Sequence, residues 1–166
     1  MQSAYRAAHV RVRLLPANGR AARQVSLVIA GQHSTVLDVN RRYPGVSLSA
    51  LVASDQPIAV ERVLTFDERG YGAAGNSGTT LAATSWLFAE GATDGQRQTF
   101  LTVLNPGGRR ATVTAVLADP RGRVVAERTI EVNAGHRGTM RLNDTVRTAA
   151  FAATVSSDVP VVVERP

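Results

Sequence analysis

The sequence predicts an all-β protein, and three observations support this prediction. Valine and threonine, which favour strands, recur along the whole chain, and Gly, Pro, Asn and Asp supply turn points between the apolar runs. Apolar residues make up 44% of the 166 residues but aromatic residues only 5%, so the core must consist mainly of Val, Ala and Leu. Short alternating segments follow one another at spacings of about 8–12 residues, which is typical of strands in a sandwich.

The chain also contains two copies of one unit. The phrase "SDQPIAVERV" begins at Ser54, and "SDVPVVVERP" begins at Ser157 and ends the chain. The offset is 103 residues at both ends of the repeat, and a one-residue adjustment in the middle places the Ala-Gly turns over each other. The matched blocks are residues 8–20 with 111–123, 23–40 with 127–144, and 47–62 with 150–165.

The second copy predicts seven short strands with turns between them, the pattern of an immunoglobulin-like antiparallel β-sandwich. The first copy has counterparts for only the last five, so its sheet edges would be exposed, a liability that native sheets avoid. The predicted strands are residues 86–89, 99–104, 111–117, 124–132, 138–142, 150–156 and 161–164.

This pattern predicts two immunoglobulin-like units, the first of which lacks its front strands. Residues 1–66 form the incomplete sandwich repeat, and residues 85–166 form the complete seven-stranded repeat. Residues 67–84 are rich in Gly, Ala, Ser and Thr, which predicts a linker. The alternative is that this stretch is a loop inside one large domain.

The charge pattern argues against specific nucleic-acid binding. All 19 basic residues are arginine, and the net charge is +6. GC-rich coding explains this composition, and so does a guanidinium surface for anionic partners. The arginines stand singly or in pairs such as Arg41-Arg42 rather than in a run, which indicates solvated strand faces.

The chain has no cysteine, which excludes disulfides and thiolate metal sites. No stretch approaches the roughly 20 apolar residues of a membrane helix, so we expect no membrane insertion. The first ten residues, "MQSAYRAAHV", show no apolar signal core, so we expect no signal peptide in this chain. If the parent protein is exported, we expect this chain to be a mature piece of it.

No residue pattern indicates catalysis, a cofactor or a metal. The carboxylates Asp38, Asp55, Asp119, Asp144 and Asp158 fall at strand ends or turns, where Asx-type turns explain them. The histidines are too far apart for a helical metal pair, and two of them fall in equivalent turns of the two copies. No serine lies in a G-x-S-x-G elbow, and no lysine completes a phosphate loop. We expect a protein that is not an enzyme.

Two Glu-Arg pairs, Glu61-Arg62 and Glu164-Arg165, are predicted to close the last strand of each copy. Neighbours along a strand face opposite sides, so the two side chains of a pair cannot serve one pocket. We expect a structural salt link, with Glu90 as one candidate partner, rather than catalysis.

Trp86 is the single tryptophan, and Phe88 shares its strand face. This pair predicts a core or inter-domain contact. The alternative is a sugar-stacking platform, although such platforms usually carry several exposed aromatic residues.

Three phrases resemble the tandem repeats of uncharacterised secreted bacterial surface proteins. They are W-x-F-A-E-G at Trp86, Phe88 and Glu90, then N-P at Asn105-Pro106, and S-D-x-P-x-x-x-E-R at the two Glu-Arg pairs. The resemblance covers nearly the whole chain and implies immunoglobulin-like modules that are exported and arranged in tandem. It implies no activity, and the missing front of the first copy departs from it.

These observations predict a non-enzymatic extracellular or cell-surface structural or adhesion module. An incomplete sandwich can accept strands from a neighbour, and head-to-tail repetition of that contact would build a fibre or a surface layer. The expected partners are other copies or neighbouring repeats of the same protein, with cell-wall or surface polysaccharide as a further candidate. The alternative is a carbohydrate- or cell-wall-binding accessory module of a secreted enzyme; no ligand-binding residue can be named.

Overall fold

A computed structural model describes residues 6–17, 20–66, 72–95, 97–148 and 150–166. The described residues confirm an all-β protein with antiparallel sheets. Among these residues, a short helix, α1 (Val39–Arg42), and a 3₁₀ turn (Leu142–Asp144) interrupt the strands. The strands are β1 (Ala8–Pro16), β2 (Arg23–Ile29), β3 (Leu48–Ser54), β4 (Glu61–Phe66), β5 (Gly72–Ser77), β6 (Ala83–Gly91), β7 (Phe100–Leu104), β8 (Ala111–Ala118), β9 (Val124–Val132), β10 (Arg137–Arg141) and β11 (Phe151–Glu164).

The chain divides into two compact units. Unit 1 comprises the described residues of Met1–Leu15 and Ala21–Thr80, and unit 2 those of Pro16–Arg20 and Leu81–Pro166. Each unit contains one copy of the repeat and its own apolar core.

Unit 1 contains a three-stranded sheet in the order β2-β1-β3 and a separate hairpin of β4 and β5. Apolar residues alternate along β1, so that Ala8, Val10, Val12 and Leu14 are buried while the residues between them are exposed. Asp38 caps α1, because its Oδ1 accepts a hydrogen bond of 2.8 Å from the Arg41 N–H.

Unit 2 is a six-stranded sheet that nearly closes into a barrel. Its path runs β10-β7-β11-β8-β9, β6 pairs with β11, and β10 lies beside β9. The long strand β11 is flanked by β6 and β8 along its first half and by β7 along its second half. One strand thereby joins two groups of strands around a core that includes Leu101, Val155 and Val161.

The structure corrects the alignment of the two copies. Ala8 pairs with Ile29 and Ala111 with Val132, so the offset stays at 103 through β2 and β9. The one-residue adjustment was wrong, because it rested on the matching Ala-Gly letters of the two turns. At the constant offset of 103, Gln32 is equivalent to Gly135, and both have a positive φ, 63° and 68°.

Two predicted boundaries also differ from the structure. Residues 72–77 of the predicted linker form β5, while residues 67–71 lie outside the described residues. The two predicted strands at 150–156 and 161–164 are one continuous strand, β11. Pro160 is accommodated in β11 where the register with β6 shifts, between Ser156 and Val161.

Candidate strand-docking site

The W-x-F-A-E-G phrase forms β6, which covers one side of β11. The indole N–H of Trp86 donates to the backbone oxygens of Val161 at 3.0 Å and Ala83 at 3.3 Å. Trp86 and Phe88 are half-buried and pack against the core of unit 2, which confirms the core interpretation. The indole N–H of Trp86 and part of its ring are thus used within unit 2. Glu90 is exposed at the end of the strand.

Asn105 of the N-P phrase joins three chain segments at one end of the barrel. Its buried amide donates to the backbone oxygens of Arg109 at 2.7 Å and Val132 at 3.0 Å, and its Oδ1 accepts from the Gly107 N–H at 3.0 Å. Its backbone N–H donates to His136 O at 3.0 Å. Asn105 therefore has a structural role, and Pro106 begins the turn after β7.

The two Glu-Arg pairs occupy different places in the two units. Glu164 ends β11 opposite Thr102, and Arg165 follows it in an exposed position. Glu61 instead begins β4, opposite Ser77, and Arg62 lies opposite Asn76. The prediction that both pairs close a last strand is wrong for Glu61-Arg62, because β4 begins there and pairs with β5.

One histidine and one carboxylate meet in unit 1, and their arrangement is structural. His9 Nδ1 lies 2.8 Å from Asp55 Oδ2, and the His9 backbone N–H donates to Asp55 Oδ1 at 2.8 Å. In unit 2 the Thr112 N–H donates to Asp158 Oδ1 at 2.7 Å, so a threonine replaces the histidine while the carboxylate keeps its backbone bond. The shared function of both aspartates is to join β1 to the end of β3 and β8 to β11.

Two carboxyl groups in the described part of the chain have lowered pKa values, and local hydrogen bonds explain both. The His9 N–H and then the His9 side chain lower the pKa of Asp55. The Arg123 backbone N–H and side chain lower the pKa of Asp119, which also accepts from the Arg121 N–H in the β8–β9 turn. This confirms the turn role predicted for Asp119.

Other forms of site have no support in the described part of the chain. No group of three or more His, Asp or Glu residues there is placed to hold a metal ion. Among the same residues, no helix is both long and apolar enough to cross a membrane. A shallow depression of about 340 Å³ in unit 2 is lined by Ala82, residues 106–109, Val159 and Pro160, and Arg109 is its charged group. His33 and His136 each contact the backbone oxygen two residues earlier at 2.8 Å, which confirms their turn role.

The candidate site is the outer edge of β3 in unit 1. β3 ends the described sheet of unit 1, with β1 on one side. Its counterpart in unit 2, the first half of β11, pairs with β8 on one side and with β6 on the other. The described part of unit 1 therefore leaves open the edge that β6 occupies in unit 2, and an open edge is a template for strand addition.

The apolar face beside this edge is also uncovered. Val155 and Val163 in unit 2 are 0% and 4% exposed, whereas their counterparts Val52 and Val60 in unit 1 are 38% and 41% exposed. The apolar character is kept at each position, but the exposed fraction differs. The same chemistry is thus present in both units, and only unit 2 buries it.

Residues 34–38 of unit 1 also lack the strand partner that their counterparts have in unit 2, within the described part of the chain. In unit 2, residues 137–141 form β10 by pairing with β7. The counterpart residues 34–38 are irregular, although Leu37 still packs on the core of unit 1, as Met140 does in unit 2. The region that β6 and β7 occupy in unit 2 therefore lacks equivalent strands in the described part of unit 1.

The sequence predicted the open edges in unit 1 but not which strand carries them. The signal that could have named β3 was the repeat itself, because Leu48, Ala50 and Val52 match the core positions Phe151, Ala153 and Val155. That match does not reveal which side of β11 is covered by β6, since pairing is a property of the folded sheet.

Comparison with known proteins finds partial structural likenesses. The chain matches no protein-family model and no curated protein sequence. Among solved structures it is similar to the Anabaena sensory rhodopsin transducer, at 23% identity and a TM-score of 0.47 over 54% of this chain and 100% of that one. It is also similar to Thermotoga maritima 1070, at 21% identity and a TM-score of 0.46 over 51% of this chain and 78% of that one.

Proposed function

We propose that this chain is a non-enzymatic structural or adhesion repeat module that assembles by strand complementation. The observation that carries the proposal is the β3 edge that the described residues of unit 1 leave open, beside apolar positions whose counterparts in unit 2 are buried in the core. An added strand would satisfy the backbone groups of the edge and remove Val52 and Val60 from water. Head-to-tail repetition of this contact would build a fibre or a surface layer.

The finer description of each unit as an immunoglobulin-like repeat belongs to this proposal. It is supported by the two strand groups that share β11 in unit 2 and by the matching turns and hydrogen bonds of the two copies. An extracellular or cell-surface location is part of the same proposal, and it follows from the resemblance of the repeat phrases to those of secreted surface proteins. The carbohydrate-binding alternative gains nothing from Trp86, whose indole N–H is bound to backbone oxygens.

The direct test is the solution mass of the chain over a concentration series, measured by size separation with light scattering. We expect dimers and larger species to grow with concentration. The Val52→Arg variant should shift the chain toward monomer, because a charge on the uncovered face opposes strand addition. Val28→Arg is the matched control, since Val28 is an exposed valine on β2, at the opposite edge of the same sheet.

A chain that stays monomeric at every concentration would contradict assembly as the function. Equal loss of association in the Val52→Arg and Val28→Arg variants would indicate a general effect of added charge and would also contradict the β3 edge as the contact.

A further inference from the structure

We infer that unit 1 is completed by a β6–β7 type segment of a further copy of this repeat, seated with its tryptophan opposite Val52. This inference rests on the proposed function and adds the identity, register and consequence of the incoming strands. Three features of the described residues support it: the edge of β3, the apolar face beside that edge, and the place of a second strand.

The register follows from the edge that β6 occupies in unit 2. There Trp86 lies opposite Val155, Phe88 opposite Ala153, and Ser85 opposite Ser156. At the repeat offset of 103, these three partners correspond to Val52, Ala50 and Ala53 on β3. A bound segment of the β6 type would thus place its Trp and Phe over Val52 and Ala50, the uncovered apolar positions.

The apolar face beside the β3 edge favours an incoming strand with large apolar side chains on one side. Trp86 and Phe88 bury part of their rings against the core that includes Val155 and Val161. Their counterparts in unit 1 are less buried: Val52 is exposed and Ile58 is half-buried. Large alternating side chains are needed to fill such a face, and the W-x-F alternation supplies them on one side of a strand.

The second incoming strand corresponds to β7, and its binding should change the backbone structure of unit 1. In unit 2, β7 pairs with β10 on one side and with residues 162–164 of β11 on the other. The counterparts in unit 1 are residues 34–38, which are irregular, and residues 59–61. A β7-type strand seated between them would convert residues 34–38 into a strand, because a strand needs a partner for its backbone groups.

The test uses the full chain and a synthetic peptide with the sequence of residues 82–105, which contains β6 and β7. We expect saturable binding and slower amide hydrogen exchange at residues 34–38 and 48–53. A control peptide with Trp86→Ser and Phe88→Ser should bind at least about tenfold more weakly, because it loses two large aromatic side chains that pack on the core.

The register is tested by disulfide trapping, which the absence of cysteine in the chain makes clean. Ala53→Cys in the chain should cross-link rapidly to a peptide carrying Ser85→Cys, since their counterparts Ser156 and Ser85 face each other. A peptide carrying Leu87→Cys is the matched control. Leu87 lies two residues from Ser85 and on the same face of the strand. A cysteine at that position should therefore cross-link slowly to Ala53→Cys.

Several outcomes would overturn the inference. Absence of binding, protection only outside residues 34–38 and 48–53, or equal cross-linking of the two peptides would each do so. Rapid disulfide-linked dimers of the Ala53→Cys chain that the peptide cannot suppress would assign the edge to β3 of a second copy instead. A chain that self-associates but ignores the peptide would overturn the occupant and leave assembly intact. A monomeric chain that binds the peptide in register would retain the occupant and overturn self-assembly.

Discussion

The two units contain closely matched strands and turns, yet unit 2 is a six-stranded, nearly closed barrel, whereas the main described sheet of unit 1 has three strands. His9 and Thr112 make the same backbone bond to an aspartate, and Tyr43 and Val146 donate to the same position of the preceding turn, at 2.8 and 3.1 Å. These local features are equal because they depend on residues near in sequence or on one neighbouring strand. The difference lies in what covers the sheet.

Residues 34–38 and 137–141 show how that difference arises. The second segment is strand β10 because β7 is beside it, and the first is irregular where no described strand takes that place. The comparison teaches that the repeat encodes where strands can form, while the presence of a neighbour decides whether they do.

Replacing equivalent valines by aspartate should produce the largest contrast. Val155→Asp buries an unpaired carboxylate and should lower the free energy of unfolding by about 3–5 kcal/mol. Val52→Asp places the charge at an exposed position and should cost about 1 kcal/mol or less. Denaturant unfolding measures both, with fluorescence of Trp86 reporting on unit 2. Equal losses would show that the β3 face is not open in the isolated chain.

Asn105→Ala should lower the free energy of unfolding of unit 2 by about 2–3 kcal/mol, because the backbone groups of residues 107, 109 and 132, the last of them buried, would lose their partner. Asn133→Ala is the control, since that side chain is exposed in the nearby turn, and it should cost about 0.5 kcal/mol or less. Thermal unfolding followed by Trp86 fluorescence measures the difference. A small effect at Asn105 would remove its role as the link at the end of the barrel.

The paired left-handed positions should respond in opposite directions. Gly135→Gln should lower stability by about 1 kcal/mol, because a side chain at φ 68° is strained. Gln32→Gly should raise it by about 0.5 kcal/mol, since it relieves the same strain at φ 63°. Urea midpoints of both variants against the parent chain measure the effects. Shifts of the same sign would show that the two turns are not equivalent.

Acid should weaken unit 1 through Asp55. Its pKa in the folded chain lies below the ordinary 3.8, because the His9 N–H and side chain favour the ionised form. The contribution to stability is therefore present above pH 3.8 and is lost as the pH falls below that value. Hydrogen exchange of β1 and β3 amides across this range should show it, and Asp55→Asn should flatten the response. Asp119→Asn is the control, because Asp119 lies in unit 2.

Much of the local structure could be predicted from particular residues. The alternation of Ala8, Val10, Val12 and Leu14 predicts β1 and its buried face, and the same rule applies to β8. The turn role of Asp119 follows from its short polar side chain. These predictions succeed because strand periodicity and turn chemistry are local properties.

The elements that were missed depend on distant partners. The strand β5 forms in a Gly-rich stretch because β4 pairs with it, although composition alone favours a linker. The alignment of Gln32 with Gly135 was hidden, because the backbone conformation matches where the residue types do not. Asn105 was recognised by its phrase, but its three side-chain contacts come from chain segments up to 27 residues away.

By itself, the sequence determined that the protein is all-β, that it contains two copies of one unit, and which residues can face a core. The folded protein alone reveals that β11 is one strand shared by a nearly closed barrel, that the described residues of unit 1 leave one edge of β3 open, and that Val52 is exposed where Val155 is buried. The physical reason is that periodicity is set by covalent geometry along the chain, whereas pairing and burial depend on which strands are adjacent in the folded protein.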